Sequence, residues 1–565
     1  MNTPTPRTSW LLALLPLLLM LALGLRGIDA NAIWLDETWS IYNAGGAHYG
    51  PLSPLGIIQR VATEDPRNAA PLYHLLLAGW GSLVGWTAFA ARASSLLFGL
   101  LAVAWTYRLG RDLDTPLAGL GAALLLSTSG LFLYFTHELR TYMLATVFVP
   151  AALVVYGRLW RARRPSLLLY AGFVTALLGL LYTHYLAALT FAALIGYHVL
   201  SLIPRLPLQR ERGNNHTGIS ARWWRITLAM GVAAALFLPW LGTLMAGMQL
   251  NAEQPKEVAY DAAQTLARLA ELLSGGQPVL LLATLGLALL ARRWRIWFFA
   301  AFALAGTLLA NALFTLLIPG RERYLLMLWP LLAVLIGVGV ALPTSVGTGY
   351  IPSLRNRRWA GLALSAALLL AWAVAGLSAT LDGLLLRDLD GNNALPWDVL
   401  ARTLAAEASP GDAAAVNITA YNWALEVQTA DYHLHGLPLA FTLVEELPAE
   451  GFDAAARAFV GDAPRVWLGV DKRLPSRGGD AAFAAALAGQ YVPCGIVFDL
   501  PRLRLDRYEQ LPADAFEPGA LGLGRFGEGI TLVYADLTPQ SALLAWRLDD
   551  SVPRGTYSVA LHVVD

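Results

Sequence analysis

The stretch ARASSLLFGLLAVAWTYRLGR (residues 91–111) decides the fold: an apolar run closed at one end by Arg108 and Arg111. Such a run is long enough to cross the hydrocarbon of a bilayer, which takes about 20 helical residues. Runs of the same kind recur to about residue 380, and they read as spans at 10–28, 92–109, 116–135, 142–157, 166–182, 186–203, 226–246, 278–291, 296–317, 324–342 and 360–380. Arginines flank them in clusters: Arg108/Arg111, Arg158/Arg161/Arg163/Arg164, Arg205/Arg210/Arg212/Arg222/Arg225, Arg292/Arg293/Arg295 and Arg355/Arg357/Arg358. With these spans all five clusters lie on the side of Arg7, which the positive-inside rule makes cytoplasmic. Eleven crossings then leave the C-terminal segment outside the cell membrane.

The composition agrees. Of 565 residues, 56% are hydrophobic and 14% charged, and mean hydropathy is +0.52. Soluble chains average about 25% charged residues, so this charge is too scarce to coat several soluble domains. A net charge of +1 argues against a nucleic-acid partner, which calls for a basic stripe. Cys494 is the single cysteine, which excludes an internal disulfide framework and a CxxC-type zinc site; it reads as a small buried hydrophobe. Arg7, the first apolar run and Ala30-Asn31-Ala32 also resemble a cleavable signal peptide. The run is long for that, and Arg26 and Asp29 precede the cleavage point, so an uncleaved helix is the reading adopted.

Residues 29–91 read as a large first external loop. Its semi-apolar PLYHLLLAGWGSLVGW (71–86) would reverse every later helix if counted as a span, so it is taken as an interfacial or re-entrant helix. Beyond residue 381, Asp, Glu, Pro and Gly become frequent. Short β-like runs appear at 413–418, 465–470, 494–500, 530–537 and 557–565, with helical stretches at 397–408 and 480–489. The expectation is an α-helical polytopic membrane domain (1–380), an extracytoplasmic α/β domain (381–525) and the start of a β-sandwich module (526–565) that reads as incomplete.

Four polar clusters fall at the face opposite the arginines: WLDETWS (34–40), THELRTY (136–142), YTHY (182–185) and PGRERY (319–324). Each has an ordinary alternative: a helix N-terminus for Asp36–Glu37, a solvated ion pair for Glu138 and Arg140, an aromatic belt for His184 and its tyrosines. Arg321 and Arg323 run against the positive-inside bias and fit an anionic group such as phosphate. One carboxylate and several cations at a membrane face suit glycosyl transfer from a lipid-linked phosphosugar. A carboxylate takes the acceptor hydroxyl proton, and arginines neutralise the departing phosphate.

In this order the DE pair, PLYHLLLAGWGSLVG, ARASSLLFGLLAV, ELRTYMLA, YTHY and RERYLLMLWPLL resemble bacterial GT-C glycosyltransferases, of the protein-mannosyltransferase-like family 39 and the related Rgt-like and lipid A aminoarabinose transferases. The resemblance covers about residues 10–380. It implies Asp36 as catalytic base with Glu37 beside it. Glu138, Arg140 and Tyr142 match the acidic–Arg–Tyr element of the second external loop, where RTY stands for the usual RMY. Arg323 and Tyr324 match the late RY motif, assigned to lipid phosphate. His184 and Tyr185 match a THY element near substrate. A polyprenyl-phosphate-linked sugar donor and inversion at the anomeric carbon are implied, while the acceptor stays an unspecified hydroxyl of a glycan, lipid or protein. Some relatives bind a divalent cation and others need none; Glu37, His137, Glu138 and His184 have no metal-ligand spacing, and no metal is assigned.

GLGRFG (522–527) matches GxGxxG formally but lacks the strand–turn–helix context and reads as a loop. Asp431, His433 and His435 alternate as on a solvated strand face. Asn215 and Asn417 head sequons, the first in a predicted cytoplasmic loop. A transporter would show midplane polar residues and an internal repeat, and neither appears. An O-antigen-type polymerase or ligase is the nearest enzymatic alternative.

Overall fold

A computed structural model describes residues 6–66, 70–203, 221–253, 259–345, 355–383, 394–419, 426–510, 524–526, 530–537 and 542–548, together with 386, 389, 391 and 424. The chain forms two compact units, Met1–Ala394 and Leu395–Asp565.

The first unit is helical: α1 (Pro6–Leu25), α2 (Leu35–Asn43), α3 (Pro54–Glu64), α4 (Pro71–Val84), α5 (Ala88–Leu113), α6 (Pro116–Thr128), α7 (Gly130–Thr136), α8 (Tyr142–Arg161), α9 (Leu167–Thr183), α10 (Ala188–Leu200), α11 (Ala221–Glu253), α12 (Ala262–Ser274), α13 (Pro278–Leu290), α14 (Trp294–Phe314), α15 (Trp329–Ser345) and α16 (Arg355–Asp382). Among the described residues, six helices are long and apolar enough to cross a membrane. Two bent pairs, α6/α7 at 63° and α12/α13 at 93°, raise this to eight, and three shorter apolar helices accompany them. The segments expected from hydropathy are helical, although 116–135 is divided between α6 and α7, and residues 71–86 contain α4, only 14 residues long.

Helix starts follow local chemistry. Thr87, Thr115 and Ser166 cap α5, α6 and α9 by accepting an amide N–H three residues on, which satisfies donors left open by the first helical turn. The centre is α15, whose described core positions are almost wholly buried. Gly337 and Gly339 bring its backbone against two neighbours. A Cβ at Gly337 would collide with the Ala118 carbonyl of α6, and one at Gly339 with the Thr284 carbonyl of α13. Small residues allow this approach where lipid offers helices no hydrophobic drive to associate.

The arginine flanks meet at one pole. Asp112 binds Arg108 at 2.9 Å and Arg161 at 3.0 Å, and Asp114 binds Arg293 at 2.7 Å. Arg222 donates to the carbonyls of Trp160 and Arg163. Arg92 and Arg108 sit 16 residues apart on α5, about 24 Å at 1.5 Å per residue, so the pole near Arg92 is remote from this one.

The C-terminal unit is α/β. Its first sheet has the order β2-β1-β3-β5-β4, with β1 (Ala413–Asn417) parallel to both β2 (Ala440–Leu443) and β3 (Arg465–Asp471). Strands β4 (Tyr491–Asp499) and β5 (Leu503–Gln510) pair antiparallel beyond β3. Alternate residues of β1 and β3 serve opposite faces. Ala414, Val416 and Trp467 pack with helices Trp397–Glu407 and Glu426–Leu434; Ala413, Ala415, Val466 and Leu468 pack with Phe452–Val460 and Gly479–Leu487. A second sheet joins β6 (Gly524–Phe526), β7 (Ile530–Leu537) and β8 (Ala542–Leu548).

Three readings are corrected. Asp431 and His433 lie on the helix Glu426–Leu434, and His435 follows it, so their alternation is not that of a strand. The GLGRFG segment contains β6 rather than only loop. Cys494 is only half-buried rather than a buried hydrophobe, and Asn417 of the second sequon is buried, its amide donating to Glu445. Residues 557–565 and Asn215 lie outside the described residues.

Candidate functional site

Adjacent carboxylates on a helix point about 100° apart, and α2 uses this to give Asp36 and Glu37 different surroundings. Glu37 turns inward and is fully buried. Arg92 of α5 grips it with two parallel bonds, Nε to Oε1 at 2.8 Å and Nη2 to Oε2 at 2.5 Å. Backbone amides of Leu139 and Trp34 add bonds at 2.9 and 3.3 Å. The remaining Arg92 N–H groups go to the carbonyls of Ile28, Asn31 and Ala32 at 2.8–3.0 Å. All five guanidinium donors thus have acceptors. This clamp ties α2, the chain leading into it and the 137–141 turn to α5. Both oxygens of Glu37, expected beside the base, are thus engaged, and the side chain anchors α2 to α5.

Asp36 faces the other way and is partly accessible. Its Oδ2 lies 3.3 Å from Arg323 Nη1 and 3.6 Å from Arg140 Nε. Arg140 also donates to the Asp36 carbonyl at 2.9 Å and to Ser40 Oγ at 3.4 Å. Burial raises the affinity of Asp36 for a proton, but Arg140, Arg323 and Arg321 together outweigh it and hold the carboxyl below its usual range. Tyr142, His184 and Tyr324 form a ring cluster, with centroids 5.3 Å (Tyr142–His184), 5.8 Å (His184–Tyr324) and 6.2 Å (Tyr142–Tyr324) apart. Each arginine lies over one tyrosine: Arg140 is 6.0 Å from the Tyr142 ring and Arg323 5.8 Å from the Tyr324 ring. The arginine-bearing turn is held from behind by Glu322, buried and bonded to Arg268 at 2.9 Å.

Two expected site residues have other partners. Tyr185 accepts from Trp240 Nε1 at 3.2 Å and packs with Ile57 and Val61 of α3. Glu138 is buried and its Oε2 takes the Trp34 indole N–H at 2.6 Å. Burial, then the charge of Glu37, pushes its carboxyl up to about 8 against the pull of Arg92. It braces the clamp rather than facing the arginines.

The four groups considered for a divalent cation do not fit one. Glu37 spends both oxygens on Arg92, Glu138 gives Oε2 to the Trp34 indole, His137 Nε2 lies 2.7 Å from the Gly24 carbonyl, and His184 Nδ1 accepts the Leu186 N–H. Residues that sequence reasoning missed are Arg92, Ser40, Asn43, Asp65 and His74. Arg92 carried a usable signal, since it is a cation at the outward end of a span, as unusual there as Arg321 and Arg323.

Residues 68–211 match the protein-family model described as dolichyl-phosphate-mannose-protein mannosyltransferase. Among solved structures, ArnT from Cupriavidus metallidurans in the apo state is similar at 13% identity and a TM-score of 0.53, covering 89% of this chain and 98% of that one. The same protein bound to undecaprenyl phosphate is similar at 14% identity and a TM-score of 0.52, covering 88% and 98%. No curated protein matches the sequence. The chain is thus a polytopic membrane protein with the GT-C glycosyltransferase fold, the superfamily that its sequence resembles.

Proposed function

We infer that this protein transfers a sugar from a polyprenyl-phosphate-linked donor to a hydroxyl acceptor at the outer face of the cell membrane, with inversion and with Asp36 as general base. The observation that carries the reading is one ionised carboxylate held between Arg140 and Arg323, with Arg321 adding charge. In the reaction the acceptor oxygen bonds to the anomeric carbon and its proton passes to Asp36. The bond from that carbon to the phosphate oxygen breaks, and the polyprenyl phosphate leaves with the electron pair. The arginines supply charge-assisted hydrogen bonds to the oxygens on which negative charge grows.

The same arginines explain how a weak base becomes competent. Before substrate binds they lower the proton affinity of Asp36. A phosphate that engages them places negative charge beside Asp36 and draws positive charge away, so base strength rises only when donor is present. The ArnT structure with undecaprenyl phosphate supports a polyprenyl phosphate as leaving group. The acceptor is a glycan, lipid or protein hydroxyl, and the C-terminal unit lies on the extracytoplasmic side in this reading. Asp36→Asn should abolish transfer in proteoliposomes while leaving membrane insertion and undecaprenyl phosphate binding intact. Retained turnover would move the base to another residue.

A further inference from the structure

Asp36, Ser40 and Asn43 are spaced by four and three residues, so they share one face of α2, and α2 packs on α4. On that side stand two buried polar side chains that the phosphate reading does not use. His74 of α4 is 1% exposed; its ring N–H is directed at the Ser40 carbonyl of α2, and its other ring nitrogen has no partner. Asn43 is fully buried; its amide donates to Asp65 Oδ2 at 3.4 Å, while its Oδ1 has no partner. Buried polar atoms left open are costly. Two of them, one on the helix face that carries Asp36 and one packed against that helix, call for a ligand.

The chemistry of the open atoms selects its class. Burial, then the charge of Arg140, drives the His74 ring down to about 3, so at neutral pH it offers one N–H donor and one bare nitrogen. Asn43 Oδ1 is an acceptor only. The N–H has the Ser40 carbonyl, so both atoms left open need a ligand that brings hydrogen, which disfavours an oxyanion and suits hydroxyl groups. We propose that His74 and Asn43 form a subsite for the hydroxyls of a sugar ring beside Asp36, separate from the arginines that take the phosphate. The class of ligand deepens the transferase reading and rests on it for the placement of the sugar. The donor sugar and an acceptor sugar share this chemistry.

The test uses the full-length protein in nanodiscs, with His74→Phe, Asn43→Leu and the conservative His74→Gln. Binding of methyl pyranosides, read by saturation-transfer NMR, should weaken about tenfold in the first two variants, a loss near 1.4 kcal/mol, and recover in part in His74→Gln. Binding of undecaprenyl phosphate, which carries no sugar, should stay unchanged in all three, and that separates the effect from misfolding. Hydrolysis of undecaprenyl phosphate-linked hexoses without acceptor then assigns the source. A raised KM there points to the donor ring; loss confined to the free glycosides points to the acceptor ring. Unchanged glycoside binding in both His74→Phe and Asn43→Leu, or a parallel loss of undecaprenyl phosphate binding, overturns the subsite. Intact, His74-dependent glycoside binding in a protein that turns over no linked hexose overturns the transferase reading and leaves the subsite standing.

Discussion

Replacing Arg92 with lysine keeps the charge and removes the fork. Five N–H groups of Arg92 meet five acceptors: two oxygens of Glu37 and the carbonyls of Ile28, Asn31 and Ala32. An ammonium has three donors at a single point, so at least two acceptors lose their partner. Hydrogen bonds to charged groups contribute about 1.5–3 kcal/mol each, which puts the loss at about 3–6 kcal/mol. SDS titration of the purified protein, followed by tryptophan emission, measures it. Transfer should fall as well, because α2 carries Asp36. The double replacement Arg92→Met with Glu37→Met separates a clamp from a mere ion pair. Removing both charges of a buried pair is often neutral, but here three carbonyls and the Trp34 and Leu139 amides would also lose partners, so stability should not return. Arg92→Lys within about 1 kcal/mol of the parent, or full recovery in the double variant, would refute the argument.

The folded protein holds the Glu138 proton up to about 8, whereas the unfolded chain releases it near the ordinary value of 4.5. Stability should therefore decline as pH rises between those limits, and Glu138→Gln should flatten the slope of the unfolding midpoint against pH. Arg323→Ala removes a charge that lowers the Asp36 pKa, so the acid limb of kcat/KM should move to higher pH while donor binding weakens; a limb that stays put would separate the two residues. Gly337→Val forces α15 off the α6 backbone and should lower the SDS midpoint more than Gly231→Val, a position with open space around its Cα.

The membrane helices were legible because twenty apolar residues need no pattern to be recognised, and the arginine flanks found one another at a common pole through Asp112 and Asp114. The strands β2 and β5 were missed for physical reasons: AFTL is only four residues, and LRLDRYEQ carries charge on both sides of an inner strand, Arg504 and Asp506 on one and Arg507 and Glu509 on the other. EVQTADYHL alternates as a strand would, yet its apolar residues Ala430 and Leu434 also meet at helical spacing, and the packing against β1 chose the helix. At the site, Asp36, Arg140, Tyr142, His184, Arg323 and Tyr324 were brought together as read. The split between Asp36 and Glu37 was not legible, since two neighbouring carboxylates look equivalent until a partner 55 residues away takes one of them.

That partner gives the dipeptide a direction. One residue anchors and the next works, and their side chains differ by one methylene. Exchanging them, as Asp36→Glu with Glu37→Asp, preserves composition, charge and helix, yet it would leave the anchor about 1.5 Å short of Arg92 and push the working carboxylate as far into the arginines. The helix reads the pair as an ordered word, and its meaning is lost when the two letters are transposed.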